Sequence, residues 1–415
     1  MTEENKSVKN FPTKLPKLRF PGFKESWGLK KLGELLEFKN GINASKEQYG
    51  SGIKFINVLD ILSNDFITYE NIVGKVNVDE KTVEKFLVSY GDVLFQRSSE
   101  TREEVGTANV YLDKNKNATF GGFVIRGKKI GDYNPIFFNK LLKTNSARES
   151  ITSKSGGSTR FNVGQEILSS VNLYFPNLFE QDKIASFLSI IDERIQTQRK
   201  IIEKLESLMK VSRENIFLQK IKFKDYNFPK WEEKKLGDIL IESNEKSIKN
   251  NQYRVISSTA KGLFYQDDYF TRDIASQDNT GYKILKKEQL VFSPQNLWLG
   301  NINVNIDFEI GIVSPSYKIF NFNTSLTSYS YCNFFLKTSL MLFEYAQSSI
   351  QGASVVRRNL DLNMFFNIKI LLPSINEQIK IASFLSSIQE KIETEKQILE
   401  KLELQKKFLL ANLFI

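Results

Sequence analysis

The sequence predicts an α+β fold built twice: a β-rich domain closed by a long helix, then a second such domain and helix. Three observations predict it. Glu-Gln-Asp-Lys-Ile-Ala-Ser-Phe-Leu-Ser, from Glu180 to Ser189, returns as Glu-Gln-Ile-Lys-Ile-Ala-Ser-Phe-Leu-Ser, from Glu377 to Ser386. From Glu180 to Glu206 the two copies agree at 18 of 27 positions with one fixed offset of 197 residues (377 − 180), too regular a repeat for chance. A second pair, Trp27-Gly-Leu-Lys-Lys-Leu-Gly and Trp231-Glu-Glu-Lys-Lys-Leu-Gly, opens each half. Between the shared ends lie β-branched runs separated by Gly, Asn, Ser and Thr.

The repeated ends are helical. Each follows a proline, Pro176 or Pro373, which frees the chain to start a helix. In the first copy Ile184, Leu188, Ile191, Ile195, Gln198, Ile202, Leu205, Met209, Ser212 and Ile216 step by four and three alternately. Their counterparts are Ile381, Leu385, Ile388, Ile392, Glu395, Leu399, Leu402, Lys406, Leu409 and Leu413. This is a mostly apolar heptad seam, so the partner of each helix is expected to be another helix, and two equal rods in one chain can pair. About 35 residues make a rod of about 50 Å. Gln198 and Glu395 put a polar residue at the same seam position, a register device, and the seam loosens at Ser212 and Lys406. The plainer reading packs each amphipathic helix on its own domain.

Taken in order, residues 1–22 are polar, punctuated by Pro12, Pro16 and Pro21, and read as a flexible arm. The first β-rich domain spans 23–176 and its helical region 177–220; the second spans 221–373 and its helical region 374–415. Strands are expected at Ile53–Leu59, Asp92–Phe95, Thr119–Arg126 and Val171–Phe175. The second half offers Tyr253–Ser257, Gln289–Phe292, Gly311–Phe320 and Ile368–Leu372. Single helices are expected at Pro135–Thr144 and Thr327–Tyr345.

Composition narrows the chemistry. A chain of 415 residues with 41% hydrophobic and 26% charged residues is an ordinary globular protein with room for two or three cores. No apolar run reaches membrane-span length, and the polar start lacks a signal-peptide core, so no membrane association and a cytoplasmic location are expected. The single cysteine, Cys332, fits a reducing compartment. The formal charge of +10 favours a polyanionic partner. With no histidine and one cysteine, zinc sites of the usual ligand sets and histidine-based triads are ruled out, which leans against an enzyme. Gly122 to Lys129 mimics a phosphate loop but lacks its Ser/Thr, and Asn134-Pro135-Ile136-Phe137 is an incomplete methyltransferase-like signature; both read as coincidence. No metal ligand set and no catalytic residue is expected.

Three loops of each half have the makeup of nucleic-acid contacts. In the first half they carry Lys39, Asn40, Asn43 and Lys46; then Gln96, Arg97 and Arg102; then Lys154, Ser158, Arg160 and Asn162. In the second they carry Lys246; then Gln295 and Asn296; then Gln351, Ser354, Arg357, Arg358 and Asn359. Arg and Lys suit phosphates and guanine, Asn and Gln suit adenine, and glycines allow close approach to a backbone. The 197 offset pairs Arg160 with Arg357 and Asn162 with Asn359. Any one such loop also reads as a solvated turn, and the two asparagines as caps of a following helix.

The chain resembles, over nearly its whole length, the specificity subunit of Type I restriction-modification enzymes. The resemblance rests on the doubled Glu-Gln-x-Lys-Ile-Ala-x-Phe-Leu helix start, and on Leu18-Arg19-Phe20-Pro21-Gly22-Phe23 followed by Trp and Lys-Lys-Leu-Gly. It implies two target-recognition domains, each reading half of a split site on double-stranded DNA, and helices that pair as an antiparallel coiled coil fixing the gap. It also implies docking of two modification (methyltransferase) subunits and association with restriction subunits. No cofactor is then expected in this chain: S-adenosylmethionine belongs to the modification subunit, and ATP and Mg²⁺ to the restriction subunit. A different class, a stand-alone DNA-binding regulator or architectural protein dimerising through its helices, is the alternative.

Overall fold

The computed structural model describes residues 15–223, 228–269, 278–351 and 358–415. The chain forms two compact units, 1–198 with 398–415, and 199–397. The helices therefore do not stand apart from the β-rich domains; each is shared between the units.

In the first unit β1 (Gly28–Lys31) follows Trp27, and β2 (Leu36–Asn40) leads into the first candidate loop. β3 (Val93–Gln96), β4 (Ser98–Ser99), β5 (Ala108–Val110) and β6 (Val124–Lys129) precede α1 (Pro135–Leu141) and α2 (Asn145–Thr152). β7 (Phe161–Asn162) and β8 (Asn172–Phe175) lead to α3 (Leu178–Phe217). The central antiparallel sheet has the order β2-β6-β3-β5. Both faces are covered, so all four residues of β3 are buried.

The second unit uses β9 (Glu232–Lys235), β10 (Leu240–Ser243), β11 (Leu290–Phe292), β12 (Ile302–Val304) and β13 (Lys318–Phe322). They are followed by α4 (Tyr329–Phe335), α5 (Ser339–Gln347), the hairpin β14 (Ser349–Gln351) and β15 (Arg358–Leu360), β16 (Lys369–Leu372) and α6 (Ile375–Asn412). Its central sheet runs β10-β13-β11-β12, the first unit's order with new residues.

The pairing of the shared ends explains why they recur together. β1 pairs antiparallel with β8, Gly28 opposite Phe175, and β9 with β16, Glu232 opposite Leu372. The Trp-Lys-Lys-Leu-Gly segment thus clasps the strand that feeds the long helix. The Glu-Gln dipeptide fastens the helix start. Gln181 accepts from the Asn134 backbone N–H at 3.0 Å and donates to the Pro176 carbonyl at 2.9 Å. Gln378 accepts from the Ser328 N–H at 3.0 Å and donates to the Pro373 carbonyl at 2.9 Å. Asn134 and Ser328 are themselves N-caps of α1 and α4, so one glutamine locks a cap to a helix start in each unit.

The preceding glutamates are solved differently. Glu180, almost fully buried, accepts from Arg19 Nε and Nη2, both at 2.7 Å. Phe20 and Phe23 accordingly pack on α3, Phe20 edge-on to Phe187 at 5.4 Å between centroids and Phe23 against Phe179 at 5.7 Å. Glu377 instead accepts from Trp231 Nε1 at 3.1 Å, and burial pushes its carboxyl above the usual range. Trp27 Nε1, the counterpart of that donor, finds no acceptor among the described residues.

Each unit also contains one stretch of helix pairing. In the first, Ile184, Leu188, Ile191 and Ile195 of α3 share a core with Leu402 and Leu409 of α6 and with Leu413 just after it, and Leu399 packs against it. In the second, Met209 and Ile216 share a core with Ile381, Leu385, Ile388 and Ile392, and Leu205 packs against it. Ile202 is buried as well. The start of α3 meets the end of α6 and the reverse, so the helices run antiparallel. Asp192–Lys406 at 2.7 Å and Glu206–Lys396 at 2.7 Å mark the same direction. Lys406 sits at a seam position because Asp192 receives its charge. Asp192 also takes Lys140, from α1, at 2.6 Å.

Several local expectations shift. The expected strand Ile53–Leu59 ends at Ile56, because Asn57 turns the chain into a short helix, Val58–Leu62, with Asp60 accepting from the Asn57 N–H at 2.7 Å. The run Thr119–Arg126 is broken by a turn at Gly122-Phe123, and Gly311–Phe320 by one at Pro315-Ser316. Thr327–Tyr345 is two helices, restarted at Thr338, whose hydroxyl accepts from the Met341 N–H. Asn134-Pro135-Ile136-Phe137 has a structural meaning: the asparagine side chain caps α1 and the proline takes its first position.

Candidate nucleic-acid interface

Four segments of the first unit are laced together at one end of its central sheet. After β2, the Gly41 N–H donates to the Val124 carbonyl at 3.2 Å and the Ile42 N–H to the Phe120 carbonyl at 2.9 Å. A side chain at Gly41 would put its Cβ 2.1 Å from the Gly121 carbonyl oxygen, so glycine is required. The Arg97 N–H donates to the Phe123 carbonyl at 3.0 Å. β4 pairs with β7, Ser98 opposite Asn162, and the Val163 N–H donates to the Arg97 carbonyl at 3.0 Å. The three loops chosen from composition therefore converge, joined by a turn, 121–124, that composition did not single out.

Their side chains do not all face outward. Asn43, Lys46, Arg97, Ser158, Arg160 and Asn162 are exposed, and Asn40 is half-buried at the end of β2. Gln96 must be withdrawn from the contact set: it is 4% exposed, and its amide donates inward to the Ser98 carbonyl at 3.0 Å. Four cations are engaged with backbone carbonyls, Arg97 among them, whose Nη1 donates to the Gly122 carbonyl at 3.4 Å. Lys39 donates to the Lys85 carbonyl at 3.1 Å and lies over the Phe86 ring. Burial, reinforced by Lys85, Arg126 and Lys128 nearby, lowers its pKa. Arg102 donates to the Thr152 and Ser153 carbonyls at the C-terminus of α2. Lys154 donates to the Ser170 carbonyl and hydroxyl, both at 3.1 Å.

The second unit brings two of its loops together. The Arg358 N–H donates to the Gln295 carbonyl at 3.2 Å, and the Arg358 guanidinium lies 4.2 Å from the centroid of the Trp298 ring. Gln351 closes β14 opposite Arg358, and Asn359 is exposed on β15. Asn296 starts a short 3₁₀ turn, Leu297–Leu299. Lys246, although exposed, bridges to Lys283 on a separate sheet and is not part of this group. Ser354 and Arg357 lie outside the described residues. The helix-cap alternative for the asparagines does not hold: Gly164 and Asp361 occupy the cap positions, and Asn162 and Asn359 lie in strands.

The face offers recognition chemistry: guanidinium, amide and hydroxyl groups on loops held by backbone hydrogen bonds. Among the described residues no group of three or more Cys, Asp or Glu could hold a metal ion. Cys332 is buried, which pushes its thiol up to about 12, far from a nucleophile's range. No helix among the described residues is long and apolar enough to cross a membrane.

Comparison with known proteins agrees. The family model for the Type I restriction modification DNA specificity domain matches twice, at residues 24–207 and 229–404. The Type I restriction enzyme MjaIX specificity subunit of Methanocaldococcus jannaschii is 27% identical over 308 residues, covering 68% of this chain and 69% of that protein. The crystal structure of a Type I restriction-modification S subunit from M. genitalium superposes with a TM-score of 0.55 at 19% identity, covering 96% of this chain and 99% of that one. The HsdS subunit from Thermoanaerobacter tengcongensis gives 0.50 at 15%, covering 95% and 97%.

The doubled fold and the doubled family match define a DNA specificity protein. The chain belongs to the family of Type I restriction modification DNA specificity domains, which it carries twice, as a non-catalytic specificity subunit.

Proposed function

We propose that each unit reads one half of a bipartite DNA site through its own loop cluster, and that the antiparallel helices set the gap between the halves. The helices also dock two modification subunits, which hold S-adenosylmethionine and methylate adenine; restriction subunits, with ATP and Mg²⁺, join that assembly. The observation that carries this reading is one sheet order built twice, with matching ends and dissimilar loops. Equal scaffolds with unequal loops suit two different half-sites on one geometric frame.

The test uses the chain in complex with its modification subunit and duplexes with either half-site scrambled. Arg160→Ala is expected to weaken binding by roughly 10-fold or more when the first unit's half-site is intact. It should have no further effect when that half-site is scrambled. Equal losses on both duplexes contradict the modular reading.

A further inference from the structure

Phe123 is out of place as an exposed residue. Its neighbours Phe120 and Val124 are fully buried, whereas Phe123 is 66% exposed at the tip of the turn joining the candidate loops. A single exposed aromatic is ordinary on a surface. This one stands on the face that carries Asn43, Arg97, Arg160 and Asn162, where polar residues would suit solvent better.

Its backbone is held from both sides. The Phe123 carbonyl accepts from the Arg97 N–H at 3.0 Å, and the Val124 N–H closes the turn on the Gly121 carbonyl at 2.9 Å. Gly122 packs so closely on Asn43 that an added Cβ would lie 1.9 Å from its Oδ1. The ring is thus presented on a turn with little freedom, which reduces the entropy lost on contact. Against DNA, an apolar ring among cations and amides can meet two partners, a base face or a thymine methyl.

Among the described residues, the second unit presents no equivalent bare ring on its matching turn or loop face. In its matching turn, between 313 and 318, Tyr317 is half-buried and donates to the Ser258 carbonyl at 3.1 Å. On its loop face the Trp298 ring is covered by Arg358.

We infer that Phe123 is a specificity-determining residue of the first unit, making an apolar contact with a base of its half-site. This rests on the reading of the chain as a two-half-site DNA reader.

The test compares wild type, Phe123→Ala and Phe123→Leu, each in complex with the modification subunit. The DNAs are a duplex carrying the mapped site, a scrambled duplex, and a series with uracil in place of each thymine of the first half-site. Phe123→Ala is expected to lose roughly 10- to 100-fold on the mapped site, with scrambled binding and melting temperature unchanged. If the partner is a thymine methyl, one uracil weakens wild type and leaves Phe123→Ala unaffected, and Phe123→Leu retains most affinity. If it is a base face, every uracil is silent and Phe123→Leu falls with Phe123→Ala. A discriminating wild type beside an unimpaired Phe123→Ala, or equal losses on mapped and scrambled DNA, overturns this inference alone. A wild-type complex with no preference for the mapped site overturns the two-half-site reading and this inference with it.

Discussion

Leu385→Asp is expected to unfold the second unit's helix pairing, with a loss of about 4 kcal/mol or more. Leu385 has no exposed surface and lies in one core with Met209 and Ile216 of the opposite helix and Phe365 of the domain. A carboxylate there would be buried without a partner, and the lost leucine adds the cost of its packing. The effect should appear in thermal unfolding of the purified chain and as loss of co-purification with the modification subunit. Ile379→Asp, six residues earlier (385 − 379) on the same helix but exposed, should change stability by less than about 0.5 kcal/mol. A Leu385→Asp protein that melts like wild type would mean the seam is not the core of that unit.

Asp192→Asn is expected to cost about 3 kcal/mol, because it strands charges rather than deleting a contact. Asp192 holds Lys140, itself nearly buried, and Lys406 together between α1, α3 and α6. Burial raises the carboxyl's pKa, but the hydrogen bonds and charges of the two lysines outweigh burial and hold it below the ordinary range. A depressed folded pKa fixes the sign. The stabilisation is fully present above the unfolded pKa of about 3.9 and is lost as pH falls through the lower folded value. Denaturant unfolding of wild type and Asp192→Asn should therefore differ at neutral pH, begin to converge below about pH 4, and meet once the pH has fallen past the lower folded value. A difference unchanged into acid would show that Asp192 is not carrying charge in that triad.

The scaffold was largely legible in the sequence because it is written there twice. Heptad spacing identified the seam, and Pro176 and Pro373 marked where each helix begins. That the Trp-Lys-Lys-Leu-Gly segment pairs with the strand before the helix was not legible, since a strand does not name a partner about 140 residues away (172 − 31 = 141 for the Lys31–Asn172 pair). Lys406 read as a fault in the seam because its partner, Asp192, lies more than 200 residues earlier (406 − 192 = 214).

The loop face was legible in composition and not in orientation. Lys39, Arg97, Arg102 and Lys154 look like Arg160 in sequence, yet carbonyls brought in by the fold take their charges. Gln96 ends a strand buried on both faces, a condition that alternation cannot reveal. Phe123 was hidden in a run that reads as continuous strand until the turn at Gly122-Phe123 breaks it.

The measurement that tests the central claim most directly is a genome-wide map of N6-methyladenine in cells with and without this chain, its modification subunit present in both. A bipartite motif that disappears on deletion is the predicted result, and Arg160→Ala should erase or relax one half of it while leaving the gap unchanged. An unchanged map, with the chain expressed and bound to its modification subunit, would contradict the account.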